Sequence, residues 1–167
     1  MLKSLLEISF FGDKQTMSID RKIKVLSEDF YINFDDNLHY AEILRKEDRP
    51  YCILVIQVDK VKFAIPFRTN INHNHSYIFK DSNRGSKSGL DFTKAVVITD
   101  DKYIGNETVI DSKEYREFIN KINVIENRFL KFIKNYKKWI ENPSYHRAEN
   151  TMKYSSLQYF HKELGII

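Results

Sequence analysis

Eight consecutive positions, Arg68-Thr69-Asn70-Ile71-Asn72-His73-Asn74-His75, hold a guanidinium, a hydroxyl, three side-chain amides and two imidazoles. A guanidinium forks onto phosphate oxygens, and an imidazole titrates near neutrality. Cleaving RNA without a metal needs such an assortment. A base must take the 2′-hydroxyl proton, an acid must protonate the leaving 5′-oxygen, and donors must hold the charged phosphorane. Acid–base help is worth roughly 10²- to 10⁴-fold, and a charge clamp adds a comparable factor. Within the segment, Arg68 suits charge stabilisation, Thr69 and Asn70 phosphate hydrogen bonding, and His73 proton transfer, with Asn72 and His75 as further RNA contacts. The plainer reading is a solvated turn, because Asn is a turn former and short motifs recur without function.

Other residues extend this reading. Arg84, Ser86 and Lys87 lie in KDSNRGSKSG, whose composition predicts a flexible basic loop able to grip phosphate. Lys46 and Arg49 could reach a phosphate from their place before the next strand, and Tyr40 could stack on a base. Lys131, Lys134 and Lys138 read as the wet face of a helix, or as a grip on an RNA backbone. Residues 60 to 94 hold Lys60, Lys62, Arg68, Lys80, Arg84, Lys87 and Lys94 against Asp81 and Asp91, a local excess suited to a polyanion. The whole chain is milder, with a net charge of +4. Several chemistries drop out. No glycine-rich phosphate loop follows a strand, no HExxH occurs, and the five histidines lack acidic neighbours at ligand spacing. One cysteine, Cys52, excludes an internal disulfide. The expectation is a site with no metal and no cofactor.

The elements that must position these residues are clearest in the middle of the chain. YCILVIQV, residues 51–58, is a nearly unbroken apolar, β-branched run and predicts a strand buried on both faces. Asp59-Lys60 is a tight turn. Residues 61–65 alternate as a second strand with one more exposed face, which Pro66 should end. Tyr77–Phe79, Phe92–Ile98 and Glu107–Ile110 predict further strands, Leu2–Phe11 an edge strand, and Asp20–Leu26 a short helix or strand. Phe30, Tyr31 and Phe34 read as anchors in a loop. Apolar residues from Tyr115 to Ile140 recur every three or four positions, predicting one long amphipathic helix capped by Asp111 or Ser112 and closed by Pro143. A last helix near Ala148–Leu164 stops at Gly165. At 167 residues, 42% of them hydrophobic, this is one α+β domain, 1–167. Its architecture should be a compact, strongly bent antiparallel sheet or partial barrel with the long helix and a final short helix packed on it. No apolar stretch approaches a membrane span or an export signal, so a cytoplasmic protein with no membrane partner is expected.

The order YCILVIQVDKVKFAIPFRTNINH, then a basic loop, then SGLDFTKAVVI, resembles the endoribonuclease toxins of type III toxin–antitoxin systems, closer to the TenpN group than to the ToxN/AbiQ group. The similarity covers roughly residues 40 to 100. It implies a barrel-like sheet similar to the MazF/PemK toxins and metal-independent cleavage to a 2′,3′-cyclic phosphate. It also implies inhibition by a noncoding, repeat-encoded pseudoknot RNA, alternating toxin–RNA rings and a part in phage defence, with mRNA as substrate. By position it places Arg68, Thr69, Asn70 and His73 on the active-site turn and Lys46, Arg49 and Lys94 on the RNA-binding rim. The ToxN group carries a Thr-Ser pair followed closely by Lys, where this chain has Thr69-Asn70 and then His73, so His73 or Lys87 stands in for that lysine. The other classes left open are a non-catalytic RNA-binding module and a toxin acting on a protein target through the long aromatic helix.

Overall fold

The computed structural model describes residues 6–10, 13–35, 38–45, 51–142 and 153–166. It is an α+β fold built on a nine-stranded sheet in which every pairing is antiparallel. The centre is the hairpin of β4 (Cys52–Val58) and β5 (Val61–Arg68), turned by Asp59 and Lys60. Asp59 sits at φ 53, a left-handed conformation that Asp tolerates in such turns. From Ile53 to Val58 β4 is buried on both faces except at Gln57, as its composition predicts.

Both outer edges of this hairpin are shared by two strands. Along β4 run β2 (Asp13–Ile19) and β3 (Lys24–Leu26), and β2 also pairs with the edge strand β1 (Leu6–Phe10). Along β5 run β7 (Gly89–Asp91) and β8 (Val96–Val97), and β7 pairs in turn with β6 (Ser76–Ile78). β9 (Ile104–Glu107) pairs with β3. β1 and β6 end the main path, so the sheet is open rather than closed into a barrel.

Pro66 does not end β5 as expected. The strand continues through Phe67 and Arg68, and both its faces are buried from Phe63 to Phe67. What changes across Pro66 is the neighbour: Ala64 faces Val96, whereas Phe67 faces Leu90. The excess residues opposite Pro66, which has no N–H to give, coil into a 3-10 turn at Phe92–Lys94. The single strand expected over Phe92–Ile98 is therefore a turn followed by the short β8.

Three other expectations are adjusted. Phe30 and Phe34 lie on and just past a short helix, α1 (Glu28–Asn33), because Ser27 caps it and the two rings, four residues apart, pack with a 32° tilt at 4.7 Å. The long helix is two helices, α2 (Ser112–Asn120), capped by Asp111, and α3 (Ile122–Glu141), broken at Lys121. The final helix, within the described residues, is a 3-10 segment at Ser156–Phe160 that turns off at Gly165, φ +71. Its buried serines explain the shape. Ser155 accepts from the N–H of Leu157, and the Ser156 hydroxyl donates to the Ala95 carbonyl at 2.5 Å, so these backbone groups are engaged outside a regular helix. Pro143 and the start of that predicted helix lie outside the described residues.

The core is an aromatic column between sheet and α3. Phe129 packs against Phe63 at 5.1 Å and Phe92 at 5.5 Å, and all three are buried. Among the described residues no helix is long and apolar enough to cross a membrane.

Candidate active site

β5 ends at Arg68, and the chain then loops through residues 69–75 before returning as β6. This loop is tied to residues 85–88. The Asn70 and Ile71 N–H groups donate to the carbonyls of Ser86 and Lys87, at 3.4 and 3.2 Å. Asn70 and Lys87 both adopt positive φ, 56° and 54°, so the two loops meet back to back in tight turns. The Lys87 ammonium donates to the Asn72 amide oxygen at 3.0 Å.

Beneath the loops lies Asp91, fully buried at the end of β7. Arg68 Nη1 donates to its Oδ2 at 2.5 Å, and His73 Nε2 approaches its Oδ1 at 3.2 Å. Oδ1 also accepts from the Thr93 hydroxyl at 2.6 Å and the Thr93 N–H at 3.1 Å. Burial alone would push the Asp91 carboxyl up. The hydrogen bonds from His73 and Thr93, the His73 charge and Arg68 together outweigh it and hold the group below the ordinary aspartate range.

Arg68 and His73 each keep about a third of the side chain exposed, at 30% and 34%, so the cluster opens toward solvent on their side. A ring that donates from Nε2 carries its lone pair on Nδ1 when neutral. Nδ1 is buried and has no hydrogen-bond partner among the described residues. His75 follows, its ring 6.2 Å from that of His73, 5.7 Å from Phe132 and 5.2 Å from Trp139.

The structure thus gathers Arg68, His73, His75, Asn72 and Lys87, with Thr69 half-buried and Asn70 exposed in the same loop and Ser86 at its border. It does not bring the rest. Lys94 is turned away and held by Glu42 Oε2 at 2.6 Å and the Tyr154 carbonyl at 2.8 Å. Tyr40 packs between Phe34 and Tyr159 in the aromatic core. Arg84 is forked onto the buried Glu114 at 2.9 and 3.0 Å, which ties the expected flexible loop to α2. Lys46 and Arg49 lie outside the described residues.

Sequence reasoning missed Asp91 as a site residue. Its signal was available only as one of two acids, with Asp81, within a basic stretch. Among the described residues no three His, Cys, Asp or Glu side chains gather into a group that could hold a metal ion. A groove of about 410 Å³ lies elsewhere, between β3, β9 and the start of α2, lined by Ile23, Val109, Ile110 and Tyr115 with Lys22 and Glu107. Its charged pair, Lys22 and Glu107, is more than half exposed, so it lacks the desolvated, converging polar groups that chemistry needs. No family model, curated protein or solved structure matches this chain.

Proposed function

We propose that the protein is a metal-independent endoribonuclease toxin of a type III toxin–antitoxin system. It cleaves RNA by attack of a 2′-hydroxyl on the adjacent phosphorus, leaving a 2′,3′-cyclic phosphate and a 5′-hydroxyl. One observation carries the reading: His73 is anchored through Nε2 on a buried carboxylate, its Nδ1 has no partner among the described residues, and the Arg68 guanidinium sits on the same carboxylate. A carboxylate on one ring nitrogen fixes the tautomer and leaves the other as proton acceptor, the arrangement of a general base. An orphaned polar atom in a partly open cluster is also one that a substrate hydroxyl would satisfy. Arg68 spends one of its N–H groups on Asp91 and has others left for a phosphorane. Thr69, Asn70 and Lys87 supply further donors to phosphate. The toxin's natural inhibitor in this reading is a repeat-derived pseudoknot RNA, in an alternating ring assembly, serving defence against phage in the cytoplasm.

A second reading, RNA binding without cleavage, draws on the same imidazole. Nδ1 is shielded from solvent, and a base that no hydroxyl reaches does no work. Incubating RNA with the protein in EDTA separates the two. The expected outcome is fragments ending in cyclic phosphate, with cleavage falling at least about a hundredfold in His73→Ala and in Arg68→Ala. RNA that is bound yet stays intact defeats the enzyme reading and leaves the binding module.

A further inference from the structure

Trp139 is the only tryptophan in the chain, and it stands half-buried near the C-terminal end of α3, edge-on to His75 at 5.2 Å and 77°. One face of α3 runs beside the site from Arg128 to Trp139. The Arg128 guanidinium lies 5.1 Å over the Tyr77 ring in β6, Phe132 packs on His75, and Trp139 follows one turn further after Asn135. Lys131 and Lys138 adjoin this face and are exposed. From Arg128 to Glu141 the helix carries Arg128, Lys131, Lys134, Lys137 and Lys138 against Glu141 alone.

An edge-on contact covers one face of one ring; His75 is further flanked by Phe132 and His73, so the flat surface left to a base is chiefly the half-buried Trp139 indole, which His75 backs. Burial first, and then the neighbouring His73, pull the His75 imidazole below the ordinary histidine range, with Asp91 opposing. At neutral pH His75 therefore offers an uncharged plane rather than a phosphate contact. A flat aromatic pair beside exposed lysines fits a polyanion whose bases are free to stack, which is single-stranded nucleic acid; in a duplex those faces are already covered.

We infer that Trp139 and His75 form a nucleobase-stacking subsite next to the Arg68–His73–Asp91 cluster, with Lys131 and Lys138 receiving the adjoining phosphates of a single-stranded RNA. The subsite deepens the ribonuclease reading and rests on it for which bond is cut, but not for binding. It is tested by titrating the full chain with a short 2′-O-methyl RNA, which lacks the attacking hydroxyl, single-stranded or annealed to its complement. The single strand should quench the lone tryptophan, and the duplex should not. Trp139→Leu should weaken binding of a labelled single strand about tenfold, and Trp139→Phe less. Lys131→Glu with Lys138→Glu, on the exposed side of α3, should weaken binding and flatten its salt dependence while the thermal midpoint stays put. No quenching by the single strand, or equal quenching by the duplex, overturns the subsite. Cleavage of unmodified RNA by the same preparation without quenching overturns the subsite alone, and quenching without cleavage overturns the ribonuclease reading alone.

Discussion

Asp91 is held by a guanidinium, an imidazole and a threonine, and its consequences can be worked out residue by residue. Its carboxyl is depressed in the fold relative to the free side chain. A depressed acid stabilises the fold at every pH above its unfolded value, near 4, and that contribution disappears as pH falls through the folded value below it. Asp91→Asn should therefore lower stability by about 2 kcal/mol at pH 7, since hydrogen bonds to a charged group are being replaced. The gap between wild type and variant should close in urea titrations below about pH 4. A gap that persists unchanged at pH 3 contradicts an ionised Asp91. Arg68→Ala in the Asp91→Asn background should cost less than in the wild type, because the two side chains share one interaction.

Among the elements, the close approach of β6 and β7 decides whether the 69–75 loop is seated. A Cβ added at Gly89 would stand 2.1 Å from the Tyr77 carbonyl oxygen, so one backbone must move. Gly89→Ala should cost about 3 kcal/mol in denaturant unfolding and reduce RNA cleavage as well. A variant with wild-type stability would show that this seam yields freely. The β4–β5 hairpin was legible in the sequence, because β-branched apolar runs joined by a two-residue polar turn have few alternatives. Arg68 and His73 were legible for a related reason: they are polar residues leaving a confidently apolar strand. Asp91 was not, because its meaning depends on the coil opposite Pro66, which brings it to Arg68 across 23 residues of sequence. The ion pair that holds Lys94 was not legible for the same cause, its partner Glu42 lying 52 residues away. The Lys121 break in the long helix left no mark either, since the apolar spacing runs through it.

For the whole molecule, the Phe63–Phe129–Phe92 column joins the sheet to α3, and Phe92 follows Asp91 directly in sequence. Phe129→Ala should remove about 4 kcal/mol, lowering the thermal midpoint by about 10 °C in a single cooperative transition. Calorimetry that instead shows the sheet and the helices melting separately would refute one shared core. The same architecture orders events during translation. A ribosome makes Arg68, His73 and Asp91 well before Phe132 and Trp139, the rings on which the 73–75 loop leans. While the nascent chain still hides α3 in the exit tunnel, the earlier residues have no wall to settle against. The codons of α3 thus determine when the site comes into being.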